Sequence, residues 1–301
     1  MNETDPKELK KAGMIPQTTP GLFAARLHVT GGNLGTKQLD AIREAADRFA
    51  RGRVHLTIRQ GVEIPDVPPG SLAALKEALA PAGLAVGGAG PTVRTVTACP
   101  GCRTCCRGVI DSPSAAAAID RELYGKPAPH KFKIGVSGCP NNCIKAEEND
   151  AGIKGWIEPR VAGPSCAPCK ACQASCPVDA IRVSDGGAPT IDEAACIGCG
   201  DCIPACPSGC IVEHRRGYVV FAGGKMGRVP VLGKRVSGVL GTEEEAVSAI
   251  KAVLEFYREH GKPRERFATT VGRTGFQSLI TFLGGATVPG YPSDDSGSRY
   301  R

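Results

Sequence analysis

The chain has 301 residues, of which 42% are hydrophobic and 22% are charged, a balance that excludes a wholly disordered or collagen-like chain. Its 37 Lys and Arg residues outnumber 30 Asp and Glu residues, which gives a formal charge of +7. No apolar run approaches the length of a transmembrane helix, and the N-terminus lacks the apolar segment of a signal peptide. We therefore expect a cytoplasmic protein with no membrane span.

The first third of the sequence predicts alternating strands and helices. Residues 1–19 are polar and contain prolines, and we expect them to form an N-terminal arm. The elements expected after this arm are strands at 21–30 and 53–58, a continuation of the sheet at 61–64, and helices at 36–50 and 71–79. Thr36 is the predicted cap of the first helix, whose apolar stripe runs from Leu39 to Phe49. These elements define an N-terminal α/β domain over 20–90.

A second domain is predicted over 91–160 and 214–285. Its expected elements are strands at 94–97, 130–136 and 218–221 and helices at 114–124, 242–260 and 272–283, with a further helix beginning at Cys139. Thr242 and Glu245 have the spacing of a capping box. The core positions expected on that helix are Ala246, Ile250, Leu254 and Tyr257. Residues 286–301 have the composition of a flexible tail.

The segment 161–213, which we call the cysteine module, interrupts this second domain. It contains nine of the fifteen cysteines, and its pattern repeats at an offset of 30 residues. The two C-x2-C-x2-C-x3-C-P runs are Cys166, Cys169, Cys172 and Cys176, followed by Pro177, and Cys196, Cys199, Cys202 and Cys206, followed by Pro207. Such runs hold paired [4Fe-4S] clusters, and the fourth cysteine of each run ligates the cluster of the other. Zinc ribbons share the two-residue spacing, but the doubled order favours iron and predicts electron transfer.

A second group of cysteines lies upstream of the module. Cys99 and Cys105 are followed, after 33 intervening residues, by Cys139 and Cys143. Four thiolates from two loops are a suitable set for a third [4Fe-4S] cluster, and the start of a helix would favour its negative charge. A zinc site or unrelated buried thiols are the alternatives on spacing alone. Cys102 and Cys106 lie within and beside the first pair, and either of them is an alternative ligand.

The net charge has a different meaning if clusters are bound. A [4Fe-4S]²⁺ core on four thiolates carries about −2, so three such clusters reduce the formal charge to roughly +1. The excess of Lys and Arg is thus explained as internal compensation. We do not expect nucleic acid to be a partner.

Five short motifs carry a resemblance to a known family. They are ThrIleArgGln at 57–60, ThrAlaCysProGly at 97–101, HisLysPheLys at 130–133, SerGlyCysProAsnAsnCys at 137–143 and GlyGlyLysMetGlyArg at 223–228. In combination they resemble the siroheme sulfite and nitrite reductase family over roughly 20–285. The position of the cysteine module is similar to that in dissimilatory sulfite reductases and in the catalytic subunit of anaerobic sulfite reductase.

The resemblance implies a fold and a set of cofactors. The fold class is α+β, a sulfite reductase-like half-unit in which a ferredoxin-like N-terminal part precedes a siroheme/[4Fe-4S] domain with an inserted two-cluster bacterial-type ferredoxin. The cofactors are siroheme and three [4Fe-4S] clusters, one of them on Cys99, Cys105, Cys139 and Cys143. Cys143 would also bridge to the siroheme iron.

The resemblance also implies roles for polar residues. Arg59, Lys131 and Lys133 match the residues that bind the substrate anion, although a Lys-x-Lys pair alone is more often a solvated strand face. Arg94 is a weaker candidate for the same pocket or for a siroheme carboxylate. The remaining cofactor-binding candidates are Asn141, Lys225 and Arg228, the last two in a Gly-rich stretch that is equally well explained as an exposed turn.

The function implied is the six-electron reduction of sulfite to sulfide, with electrons passing through the ferredoxin-type clusters. Nitrite reduction to ammonia is the nearest alternative; a polyferredoxin subunit without haem and a siroheme-handling protein without turnover are the others. The chain has one copy of a unit that the better-known assimilatory enzymes carry twice. We therefore expect a homo-oligomer or a complex with a related subunit, together with a separate electron-donor protein.

Overall fold

The computed structural model describes residues 6–163, 166, 169–184 and 187–284, which form an α+β protein. The N-terminal domain is a four-stranded antiparallel sheet in the order β1-β2-β4-β3. Its elements are α1 (Pro6–Lys11), β1 (Met14–Pro16), β2 (Phe23–Leu27), α2 (Thr36–Phe49), β3 (His55–Leu56), β4 (Val62–Val67) and α3 (Leu72–Leu79). Helices α2 and α3 pack their apolar faces on the sheet and close a separate hydrophobic core.

The prediction of an N-terminal arm is wrong for the part of it that the structure describes. Strand β1 pairs with β2, and Leu9 and Met14 are 1% and 0% exposed in the core of the domain. Two apolar side chains in a polar segment suffice to attach it, because each buries its whole surface.

Two details of α2 also differ from expectation. The N-cap residue is Gly35, whose backbone N–H donates to Gln38 Oε1 at 2.9 Å, and Thr36 is the first helical residue. Leu39, expected in the buried stripe, is 52% exposed, whereas Ile42 and Ala46 are buried.

The second domain is a five-stranded mixed sheet in the order β11-β10-β7-β6-β5. Strands β5, β6 and β7 are parallel, while β7, β10 and β11 are antiparallel. Its elements are β5 (Thr97–Ala98), α4 (Ser112–Leu123), β6 (Ile134–Ser137), β7 (Ala151–Val161), β10 (Ile211–Ala222), β11 (Lys234–Arg235), α6 (Glu243–His260), α7 (Phe267–Thr274) and α8 (Phe276–Phe282). The largest core of the described residues lies between this sheet and helices α4 and α6.

Helix α6 has the predicted cap and core. Thr242 Oγ1 accepts from Glu245 N at 3.2 Å, and Glu245 Oε2 accepts from Thr242 N at 3.2 Å. The four expected core residues, Ala246, Ile250, Leu254 and Tyr257, are all 0% exposed. The helix expected at 272–283 is instead divided, because Gly275 with φ of 88° separates α7 from α8.

The cysteine module is inserted between two paired strands. Val161 at the end of β7 lies opposite Ile211 at the start of β10, so the module leaves and re-enters the sheet at one place. It contains α5 (Ala171–Ala174) and the antiparallel pair β8 (Ile181–Val183) and β9 (Pro189–Ile191). Its small core includes the cysteines Cys172 and Cys202.

Two further regions complete the comparison with the sequence. The expected tail at 286–301 lies outside the described residues. Among the residues that the structure describes, no helix combines the length and the apolar character needed to cross a bilayer.

Candidate functional site

A cavity of about 300 Å³ lies between the N-terminal domain and the second domain. Its basic lining residues are Arg26, Arg59, Arg94, Lys131 and Lys133. The three predicted anion-binding residues and Arg94 are thus brought together, although they come from segments far apart in the sequence. Five cations around one cavity repel one another and favour a ligand of negative charge.

Arg59 lies in a tight turn that joins β3 to β4. Thr57 Oγ1 accepts from Gly61 N at 3.0 Å, which closes this turn. The guanidinium donates to Asn149 Oδ1 at 2.7 Å and to the carbonyl oxygens of Thr95 and Ile134 at 3.1 and 3.3 Å. Burial lowers the pKa of Arg59 to about 10, so it stays charged at neutral pH.

The neighbouring residue Gln60 faces the other way and pairs with β5. Its Nε2 donates to Ala98 O at 2.7 Å, and its Oε1 accepts from Ala98 N at 2.9 Å. The side-chain amide of Gln60 therefore makes the two hydrogen bonds that a residue of a neighbouring strand would make. Since Cys99 follows Ala98 directly, the same turn positions both Arg59 and the start of the first cysteine loop.

Lys131 and Lys133 precede β6 rather than lying in it, which corrects the predicted strand. Phe132 between them is fully buried, so both lysines still point to the opposite side, into the cavity. Burial, together with the charges of Arg59, Arg266 and Lys131, lowers the pKa of Lys133 to about 8. Burial, followed by the charges of Arg266 and Arg94, also lowers the pKa of Lys131.

A buried ion pair holds the segment that carries Lys131 and Lys133. Asp150 is 0% exposed and accepts from Arg266 Nη2 at 3.0 and 3.1 Å and from the Lys133 backbone N–H at 2.9 Å. Burial raises the pKa of Asp150, and Arg266 opposes this shift. Sequence reasoning missed this pair because its members are 116 residues apart and no local pattern joins them.

Arg94 and Arg26 complete the basic lining of the cavity. Arg94 donates to the carbonyl oxygens of Gly88 and Gly90, the latter at 2.8 Å. Arg26 Nη2 pairs with Glu63 Oε1 at 2.6 Å. Arg26 was not predicted, although alternation along β2 was available as a signal, because its neighbours Ala25 and Leu27 are buried.

The four cysteines predicted for a third cluster meet where two loops pack together. Gly138 N donates to Cys99 Sγ at 2.9 Å, which joins the two loops. Burial raises the pKa of Cys139, and the nearby Cys99, Cys105 and Cys143 thiols raise it further. Cys102 and Cys106 are not among these neighbours, although they are exposed to the same degree as Cys105 and Cys143. We therefore keep the predicted four as the proposed ligand set.

The helix predicted to begin at Cys139 is absent. Residues 139–145 form turns, with Asn142 and Lys145 both at φ of 54°. The predicted contribution of a helix dipole therefore does not apply. Cys139 is buried and Cys143 is exposed, so only one of the two thiols faces outward from the loop.

The fourth cysteine of each run lies near the other run, as the proposed exchange requires. Burial, together with the nearby Cys196, Cys199 and Cys176 thiols, raises the pKa of Cys202 to about 12. The pKa of Cys172 is raised in the same way, with Cys206 and Cys166 contributing. Cys210 is 3% exposed, in agreement with a small buried residue.

Thiols grouped in this way fit iron–sulfur ligation, because metal binding displaces their protons. Backbone N–H groups of Ala180 and Cys210 each donate to the sulfur of a fourth cysteine at 3.2 Å. Among the described residues no three His, Cys, Asp or Glu side chains converge on a single ion position, whereas a four-iron cube takes each thiolate on a different iron.

Three predicted cofactor-binding residues lie outside the cavity. Lys225 and Arg228 belong to an exposed hairpin in which the backbones of Lys225 and Val231 bond reciprocally at 2.8 and 2.9 Å. Asn141 is exposed between Cys139 and Cys143. The structure therefore groups Arg94, but not these three, with the anion-binding residues.

Comparison with known proteins matches almost all of the described chain. The family model "Nitrite/Sulfite reductase ferredoxin-like half domain" matches residues 15–82, and "Nitrite and sulphite reductase 4Fe-4S domain" matches residues 89–284. The coenzyme F420-dependent sulfite reductase of Methanocaldococcus jannaschii is 33% identical over 271 residues, which is 89% of this chain and 43% of that protein. An uncharacterized protein of the same organism is 31% identical over 257 residues, 85% of this chain and 89% of that protein.

A solved structure has the same fold. The crystal structure of dissimilatory sulfite reductase I aligns with a TM-score of 0.73 at 21% identity, over 93% of this chain and 73% of that chain. The chain spans less than half of the F420-dependent relative, so the activity of that longer protein is not transferred by similarity alone.

Proposed function

Because the chain belongs to the nitrite and sulphite reductase family, we propose that it is a siroheme-dependent sulfite reductase, an oxidoreductase that takes sulfite to sulfide with six electrons. The observation that carries this proposal is the cavity with five basic side chains. The turn that carries Arg59 is also bonded through Gln60 to Ala98, the residue before Cys99. Electrons would be supplied through the clusters of the cysteine module.

The residues present fit the cofactors that the family implies. Siroheme carries carboxylates, for which a cavity lined by guanidinium and ammonium groups is complementary. Cys143, the exposed thiol of the second cysteine pair, would ligate its iron, and Arg94, Asn141, Lys225 and Arg228 are the further cofactor contacts that we propose. Siroheme and its linked cluster, when bound, supply an open metal position and the electrons for reduction.

The cavity side chains would bind the anion and supply protons. A guanidinium has five N–H donors, and Arg59 uses only part of them on Asn149, Thr95 and Ile134, so donors are left for a sulfite oxygen. Lys133, with a pKa of about 8, gives up a proton at neutral pH far more readily than an ordinary lysine. Each oxygen that leaves as water needs such protons.

The assembly and the location are also proposals. A single half-unit in the chain favours a dimer with itself or with a related subunit, and a separate donor protein or redox subunit would reduce the cysteine module. We place the protein in the cytoplasm, where clustered thiols remain reduced and available to iron.

The test is a metal and haem analysis of anaerobically purified protein. We expect about twelve irons in three cubes and one more in an extractable tetrapyrrole. Turnover is then measured with sulfite and with nitrite under the same conditions, because the matched family models name both anions. Faster nitrite turnover would make nitrite reduction the function, and iron–sulfur absorbance without haem bands would leave only an electron-transfer subunit.

A further inference from the structure

The two cluster-binding halves of the cysteine module contact the second domain differently. Three consecutive residues of β7 touch cysteine loops on both sides. A β-carbon placed on Gly155 would lie 2.2 Å from the carbonyl oxygen of Gly138, the residue before Cys139. On the other side, β-carbons on Gly198 and Gly200 would lie 2.2 Å from Trp156 and 2.9 Å from Ile157.

These glycines belong to the second cysteine run. Gly198 lies between Cys196 and Cys199, and Gly200 lies between Cys199 and Cys202. Ile157 N also donates to Gly198 O at 2.9 Å. The backbone of the second run therefore rests directly on β7, one or two residues from the point where β7 touches the Cys139 loop.

A further contact joins the second run to the first cysteine loop of the second domain, without β7. Arg107 Nη1 pairs with Asp201 Oδ1 at 3.0 Å. Arg107 follows the first cysteine loop of the second domain, and Asp201 lies between Cys199 and Cys202. An exposed pair of this kind adds little stability, but it shows that the loops are neighbours.

The other half of the module is attached further along the strand. Cys206, which faces the first run, is followed by Cys210, whose carbonyl oxygen accepts from Ala162 N at 2.9 Å. Ala162 lies seven residues beyond Gly155, which is about 23 Å at the rise of an extended strand. The first run is thus the more distant of the two from the Cys139 loop.

We propose that the cluster held by Cys196, Cys199, Cys202 and Cys176 is the immediate electron donor to the cluster held by Cys99, Cys105, Cys139 and Cys143. The cluster of Cys166, Cys169, Cys172 and Cys206 is then the entry point for external electrons. Electron transfer between buried centres falls steeply with distance, so the shorter path through Gly155, Trp156 and Ile157 dominates. This order rests on the cluster assignments of the proposed function, and it does not depend on siroheme.

The test uses two matched ligand variants of the holoprotein, Cys199→Ser and Cys169→Ser, which occupy equivalent positions in the two runs. Electron paramagnetic resonance of the reduced protein measures the magnetic broadening of the Cys139-loop cluster by its neighbours. We expect the broadening to be lost in Cys199→Ser and retained in Cys169→Ser. The reverse result, or retention in both, would overturn the order.

A second pair decides the question if iron analysis shows that either serine variant has lost both module clusters. Gly198 and Gly209 have φ of 68° and 64°, so alanine strains both backbones equally. Only at Gly198 does the added methyl group meet Trp156; at Gly209 nothing lies within 4 Å. Weaker broadening in Gly198→Ala than in Gly209→Ala supports the order, and equal spectra contradict it. Neither measurement uses sulfite or haem. Both can therefore be interpreted even if the protein shows no reductase activity.

Discussion

At the scale of single residues, the cations that line the cavity lower the stability of the folded protein. Lys133 is crowded by Arg59, Arg266 and Lys131, and it is removed from water as well. Both effects favour the neutral amine, which is why its pKa falls to about 8. A residue held in this state is useful for binding an anion and releasing a proton, but it weakens the folded protein.

We therefore predict that Lys133→Met gains thermal stability while it loses activity. The folded-state pKa lies below the ordinary value of 10.5, so the ammonium destabilises the fold fully below pH 8, and this effect disappears as the pH rises through 10.5. Removing one such cation should reduce turnover by about 10²–10³. Melting temperatures at pH 7 and pH 10.5 and sulfite turnover are the measurements.

Lys37→Met on the exposed face of α2 is the matched control, for which we expect neither change. If Lys133→Met melted lower than the parent at pH 7, the assignment of a strained cation would be wrong.

A pH profile separates the charge of Lys133 from its shape. The unliganded ammonium loses its proton as the pH passes about 8, so the sulfite affinity of the parent should fall above that pH. Lys133→Arg keeps its charge there, because a guanidinium does not deprotonate in this range. We expect the sulfite affinity of Lys133→Arg, divided by that of the parent, to increase from pH 7 to pH 10. Sulfite titrations over this range measure both affinities. A constant ratio would show that another group controls binding.

Gln60 should contribute to stability out of proportion to its size. In Gln60→Ala the backbone N–H and carbonyl of Ala98, which is 1% exposed, would lose their partners. Leaving buried polar groups unsatisfied costs about 1–3 kcal/mol each. Chemical unfolding should detect this loss, and Gln38→Ala, which removes an exposed hydrogen bond that water replaces, should change stability much less. Equal losses would indicate that the Gln60 contact is not made.

At the scale of elements, local signals predicted helices well and edge strands poorly. Helix α6 is correct in cap and core because all of its determinants lie within its own sequence. In contrast, a strand is expected at 53–58, but β3 covers only His55–Leu56, and Val54, Leu56 and Ile58 are 44%, 74% and 102% exposed. Strand β3 pairs with β4 alone and lies at the edge of the sheet, which a pattern of alternation cannot indicate.

The helix predicted at Cys139 failed for a related reason. Its spacing placed two thiols on one helical face, but cluster loops meet the same requirement with turns. Asn142 adopts the left-handed region, and its Oδ1 accepts from Ala146 N at 2.8 Å, which satisfies the backbone locally. A side chain that bonds to its own backbone competes with helix formation.

The N-termini of α6 and α2 give a prediction that compares the stability of two threonine variants. Thr242 caps α6 through its hydroxyl oxygen, so Thr242→Ala should cost about 1 kcal/mol. Thr36 was expected to cap α2 but is its first helical residue, so Thr36→Ala should be nearly neutral. Unfolding of the two variants under identical conditions checks both statements. A larger loss of stability in Thr36→Ala than in Thr242→Ala would show that Thr36 caps α2, as the sequence predicts.

At the scale of the whole molecule, the candidate site lies between two separate hydrophobic cores. Its cysteines and most of its cations were found from short motifs, because the chemistry restricts which residue types are used. The supports of that site were not found: Asp150 with Arg266, and Asn149 with Arg59, are joined only after the domains pack. Contacts between distant segments leave no periodic trace in a single sequence.

The cysteine module should depend on its clusters for folding. Its buried core among the described residues comprises Cys172, Ile181, Val183, Cys202 and Ile211, and two of these five are predicted iron ligands. So small a core does not stabilise a domain alone, and metal binding supplies the difference. After iron is removed by a chelator, limited proteolysis followed by mass spectrometry should find cleavage within 161–213 and protection of the N-terminal domain. Uniform protection would show that the module folds without metal.

The pairing of Val161 with Ile211 has a consequence for how such proteins diversify. The module enters and leaves through adjacent positions at the tip of a hairpin, so its length can change without a shift in the pairing of β7 with β10. A genome could replace it with a short turn, or with another redox carrier, and keep the anion cavity intact. Engineered chimeras should likewise be grafted at this tip, with the surfaces of Trp156 and Ile157 that Gly198 and Gly200 contact covered by the new segment.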